Sequence, residues 1–144
     1  MKQRANLESF VGKWNTTGKI IATANTSPAD IKGYDTYEWL PGEFFLLHKV
    51  DVFMGPDREQ SLEIIGYDET TNTYPMHFFD NHGNSGLMEG NLNDGVWTFL
   101  SPSMRFTGSF TDTGNKLSGI WEQSSDGAKW IPWMEISLIR LENA

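Results

Sequence analysis

Three histidines and no cysteine bound the chemistry open to this chain. His48 falls in the run Glu43–Met54 (EFFLLHKVDVFM), where Phe44, Leu46, Val50, Val52 and Met54 share its strand parity. Alternate residues of a strand point to one face. His48 therefore interrupts an apolar inner face, where it could exchange a proton or a hydrogen bond with a ligand. The plainer alternative is a buried neutral imidazole satisfied by a neighbouring polar group. Burial alone lowers a histidine pKa unless a carboxylate is adjacent. On that footing His48→Leu is expected to leave stability unchanged or improved.

His77, Asp80 and His82 are closely spaced, but a metal site needs their ligand atoms to converge. On a strand His77 and Asp80 have opposite parity and point apart. The expectation is no metal, with Asp80 and Asn81 bonding the backbone of a turn. Glu38, Glu63, Glu89, Glu122 and Glu135 alternate with apolar residues, as outward solubilising residues do; the alternative is a pair facing across an interior for acid–base work. Without a nucleophile–base pair or catalytic motif, binding is favoured over catalysis. His48 stays the candidate acid or base of an isomerase-, cyclase- or hydratase-type alternative. A filled-core structural protein is the third reading.

The elements that hold these residues are short strands. Apolar–polar alternation of period two runs through 12–20, 34–40, 43–54, 60–67, 73–80, 86–92, 96–101, 104–111, 116–123 and 129–142. Turn signals separate them: Pro41-Gly42, Gly55-Pro56-Asp57, Asn93-Asp94-Gly95 and Ser125-Asp126-Gly127. Residues 25–33 read as a loop. A short helical turn, capped by Asn6, spans Leu7 to Val11 and stops at Gly12. With about ten strands and hairpin-length connections, the fold class is all-β: an antiparallel up-and-down barrel over residues 1–144, one domain, plugged by the N-terminal helix. Gly18, Gly66, Gly90, Gly108 and Gly119 lie inside strands, where a curved sheet bends.

Parity assigns the interior. On the strand of His48 it takes Phe44, Leu46 and Val50. Met76 and Phe78 follow on 73–80, where Pro75 could shift the phase. Met104 and Phe106 come from 104–111 and Trp121 from 116–123. Met54, Met88 and Met134 add adaptable apolar lining. Such a lumen suits a small apolar or aromatic molecule, unless the side chains fill it completely.

The six tryptophans include Trp14 in Gly12-Lys13-Trp14, which resembles the G-x-W opening of lipocalins and related barrels. In that superfamily the Trp closes the barrel floor and an arginine of a late strand stacks across it. Arg140, of the same parity as Met134, Ile136 and Leu138, is the matching residue. A longer set resembles an uncharacterised bacterial lipocalin-like family, domain of unknown function 1579. It comprises Tyr37-Glu38-Trp39, Ile65-Gly66-Tyr67-Asp68, Tyr74, His77-Phe78-Phe79-Asp80-Asn81 with Gly83, Gly90, Gly119-Ile120-Trp121-Glu122 and Arg140. The resemblance implies a lipocalin-like (calycin-type) barrel and no established activity. The haem-binding relatives called nitrobindins place a histidine ligand on a late strand. This chain has no histidine after His82, so that ligand does not carry over and no cofactor is expected.

The 144 residues carry a net charge of −8 with no basic cluster, which argues against a nucleic-acid partner. No apolar run approaches the ~18 residues of a membrane helix, and Lys2 and Arg4 are not followed by the apolar stretch of a secretory signal. A cytoplasmic protein is the expectation. Asn15-Thr16-Thr17 and Asn25-Thr26-Ser27 then have no glycosylation role. The expected partner is a small apolar ligand, without a membrane, and a homodimer is left open.

Overall fold

A computed structural model describes residues 2–22 and 27–141. Asn25 and Thr26 of the second sequon, and residue 142 of the last expected strand, lie outside the described residues. Ten strands follow one another: β1 (Gly12–Ile20), β2 (Ala29–Trp39), β3 (Leu46–Met54), β4 (Asp57–Ile65), β5 (Tyr74–Asp80), β6 (Ser85–Asn93), β7 (Val96–Leu100), β8 (Met104–Thr111), β9 (Lys116–Gln123) and β10 (Ile131–Arg140). Each pairs antiparallel with its sequence neighbours, and β1 pairs with β10, so the sheet closes as an up-and-down barrel. Closure leaves no unpaired sheet edge.

Three strands start three or more residues away from the sequence reading. β2 begins at Ala29, because Ala29–Gly33 pair with β1 in unbroken register. β4 begins at Asp57, directly after the tight turn at Gly55-Pro56. β3 begins at Leu46 rather than residue 43. Leu40 and Phe45 pair across a turn that holds Glu43 at φ 58° and Gly42 at φ 93°, so the extended run cannot start earlier.

The N-terminal segment is also longer than expected. A single α-turn, α1 (Lys2–Ala5), runs into a 3-10 helix at Asn6–Phe10. Asn6 does not cap it. Its amide donates instead to the Tyr74 hydroxyl at 3.1 Å, and that hydroxyl donates to the Gln3 carbonyl at 2.6 Å. Leu7 and Phe10 are buried. Phe10 packs against Tyr37, Trp97 and Phe110 with ring centroids 5.0 to 5.1 Å apart. This end of the barrel is solid.

The seam between β1 and β10 lies at the same end. Trp14 is fully buried and its indole N–H donates to the Phe10 carbonyl at 2.7 Å. Arg140 is its cross-strand partner, with the guanidinium 4.2 Å from the Trp14 ring centroid. The guanidinium also donates to the Val11, Ser9 and Gly114 carbonyls. Gly12 sits at φ +136°, and a Cβ there would lie 2.6 Å from Nη1 of Arg140. The glycine of G-x-W is thus the space the arginine occupies.

Candidate functional site: a polar cluster on the wall of the lumen

The half of the barrel away from the helix is not solid. A cavity of about 170 Å³ lies between β3–β5 and β6–β9. Val50, Phe78, Met88, Phe99, Met104 and Trp121 form its apolar wall. His48, Ser61 and Glu63 supply its polar side, and among the described residues no lysine or arginine lines it.

The polar side is built by register. Glu63 on β4 is the cross-strand partner of His48, and Tyr37 on β2 is its partner on the other side. His48 Nδ1 lies 2.9 Å from Glu63 Oε1, and Nε2 lies 2.6 Å from Asp35 Oδ2. The other Asp35 oxygen accepts from the Thr16 hydroxyl. Tyr37 stacks face to face on the imidazole, with centroids 3.9 Å apart and planes 7° from parallel. Among the described residues, the second Glu63 oxygen accepts no hydrogen bond. The His48 and Glu63 side chains each keep 13% exposure, so solvent reaches the cluster from the cavity.

A carboxylate stands at each ring nitrogen, the circumstance in which burial alone does not set the histidine pKa. Burial pulls the His48 pKa down, but the hydrogen bonds and charges of Asp35 and Glu63 pull harder and raise it to about 9. At neutral pH His48 is therefore an imidazolium donating from both nitrogens. Burial, then the Asp35 and Glu63 charges, push the Tyr37 phenol well above its usual value, so it stays neutral. Two carboxylates around one imidazolium leave the cluster with one net negative charge. Replacing His48 by leucine would leave two facing carboxylates without their cation, which corrects the expectation that His48→Leu is harmless.

The nine residues assigned to the lumen divide into three groups. His48, Val50, Phe78, Met104 and Trp121 line the cavity. Leu46, Met76 and Phe106 are buried but packed into the solid core rather than facing open space. Phe44 is the correction: it lies in the turn before β3, 58% exposed, with the Arg4 guanidinium 4.4 Å from its ring centroid.

Of the carboxylates, Glu63 faces inward, not outward. Glu38, Glu89 and Glu135 are exposed, and Glu122 pairs with Arg105 at 2.9 Å. His77, Asp80 and His82 do not converge. His77 is exposed on the outer face, Asp80 bonds the backbone of the turn at His82 and Asn84, and His82 pairs with Glu59.

Sequence reasoning missed Asp35, Tyr37, Ser61 and Phe99. Asp35 shares parity with Tyr37 and Trp39, so the phase of those two aromatics, carried back along β2, was the available signal. On β4 the alternation misleads, because the outward residues Leu62 and Ile64 are more apolar than the inward Ser61 and Glu63.

The chain matches the family described as "Protein of unknown function (DUF1579)" over residues 1–116. It belongs to the DUF1579 family. No curated protein matches it. Among solved structures, this DUF1579 barrel is similar to Rv2717c from M. tuberculosis, with 13% identity, a TM-score of 0.71 and coverage of 99% of both chains. It is also similar to the S-type phycobiliprotein lyase CPES from Guillardia theta, with 9% identity, a TM-score of 0.69, and coverage of 96% of this chain and 92% of that one. Both likenesses are likenesses of fold. Among the described residues no helix is long and apolar enough to cross a membrane.

Proposed function

We propose that this protein binds a small, largely apolar molecule in the barrel lumen, oriented by the Asp35–His48–Glu63 cluster. The observation that carries the reading is a cavity of about 170 Å³ with six apolar residues on its wall and one solvent-reachable polar cluster. Apolar walls with a few convergent polar groups are the usual make-up of a small-molecule site. An apolar cavity of ~150 Å³ admits benzene, so the size suits one ring or a compact aliphatic body. That a barrel of the same fold serves as a phycobiliprotein lyase leans the same way.

The alternative of an enzyme using His48 as acid or base draws on the same cluster. Both ring nitrogens of His48 already end on carboxylates, and its proton is held up to about pH 9. A general base needs a free lone pair within reach of the substrate, and His48 offers none at neutral pH. Binding is the reading the geometry favours.

Toluene is a suitable neutral probe. Added to protein with 13C-labelled methionine methyls, it should shift Met88 and Met104 saturably and leave Met76, in the solid core, unmoved. If neither toluene nor a polar analogue of the same size moved the Met88 and Met104 methyls, the lumen would not be a binding site.

A further inference from the structure

We propose that the lumen selects an organic cation: a compact aromatic or aliphatic body carrying an ammonium group, seated between the Glu63 carboxylate and the aromatic wall. The proposal rests on the lumen-binding reading and specifies the ligand's polar end.

The polar atoms left for a ligand decide it. The two His48 N–H groups are taken by Asp35 and Glu63, and both Asp35 oxygens are taken by His48 and Thr16. Glu63 and Ser61 line the cavity, and among the described residues neither the second Glu63 oxygen nor the Ser61 hydroxyl has a side-chain hydrogen bond. A carboxylate oxygen only accepts, so a ligand tip that engages Glu63 must donate. An ionised donor makes the stronger bond to it.

The charge agrees. The cluster is net negative, no lysine or arginine among the described residues lines the cavity, and the whole chain carries −8. A carboxylate-tipped ligand would bring a third negative charge to a cluster that holds one imidazolium, and burying like charges together is costly. A field of this sign raises the local concentration of cations.

The walls agree independently. Phe78, Phe99 and Trp121 present three aromatic rings to the same space, with Phe99 and Trp121 centroids 6.5 Å apart at 54°. Aromatic faces attract ammonium groups electrostatically, most strongly where water is excluded. A purely apolar ligand would be served equally well by aliphatic walls and would give the second Glu63 oxygen no donor.

Three probes of one size separate the outcomes: benzylammonium, toluene and benzoate, titrated at pH 7 with the Met88 and Met104 methyls as reporters. Benzylammonium is expected to bind at least about tenfold more tightly than toluene, the effect of one desolvated charge-assisted contact, and benzoate to bind more weakly than either. Glu63→Gln should bring benzylammonium to within a few-fold of toluene measured on the same variant. Toluene and benzylammonium binding equally, or benzoate binding best, would overturn the cation preference while leaving lumen binding intact. No response to any of the three would overturn lumen binding itself. The ranking on the unmodified protein decides the question even if Glu63→Gln does not fold.

Discussion

His48 is held by what surrounds it more than by where it stands in the sequence. Its ring lies between Asp35 and Glu63 and under Tyr37, so the imidazolium is the counter-ion that lets two carboxylates share the inside of a barrel. Removing one partner of a buried ionic group typically costs ~3–5 kcal/mol, because the remaining charge stays buried without compensation. His48→Leu is therefore expected to lower unfolding free energy by about that much in urea titrations. A cost below ~1 kcal/mol would mean that Asp35 and Glu63 relax into water or take up a proton. The inward phase of His48 is legible in the sequence because Leu46, Val50 and Val52 flank it on one face. The carboxylates that bond to it are not. Asp35 lies in a segment whose first half reads as loop, and Glu63 stands on a strand whose outer residues Leu62 and Ile64 are the greasier set. Leu62, 40% exposed, shows how far the outer surface of this barrel departs from simple polarity.

At the scale of elements, the closure of β1 on β10 depends on a few atoms near the helix. Trp14 joins three things: the 3-10 helix through the Phe10 carbonyl, the aromatic core through Phe110 at 6.0 Å, and β10 through the Arg140 guanidinium. Cation–π contact adds ~0.5–2 kcal/mol to the burial of the indole. Trp14→Ala is expected to cost ~3–5 kcal/mol, and to release the helix, visible as faster amide exchange at Phe10 and Val11. Loss of stability without faster exchange there would show that the helix is held by Tyr74 and the Phe10 contacts alone. The strand order is readable because five of the nine connections have four residues or fewer and carry their own turn residues. The start of β3 is not, because Phe44 and Phe45 continue the apolar alternation while Gly42 and Glu43 turn the chain away.

Across the whole molecule the two halves of the barrel have different roles. The helix end is filled by Leu7, Phe10, Trp14 and Trp97, while the far half holds a cavity and a charged cluster beside a smaller packed group, Ile31, Val52 and Met134. That division ties the stability of the barrel to pH through His48. Its folded pKa of about 9 lies above the ordinary value of 6.5 that applies to the unfolded chain. A group whose pKa is raised on folding stabilises the state that holds the proton. The contribution is present in full below about pH 6.5, falls as pH rises from there, and is gone above about pH 9. With a tenfold change in proton affinity worth ~1.4 kcal/mol, the contribution is on the order of 3 kcal/mol. The titratable groups facing His48 are Asp35, Glu63 and Tyr37, and burial keeps the Tyr37 phenol neutral. His82 on the surface also has its pKa raised, by Glu59. A His82→Asn background removes its contribution. In that background, urea unfolding at pH 6, 7.5 and 9.5 should show stability declining with alkalinity, with the His48 ring proton titrating near pH 9 by NMR. A flat profile, or a His48 ring that titrates below 6.5, would mean that the carboxylates do not hold the imidazolium. The negative pole proposed for a cationic ligand would then have to come from elsewhere.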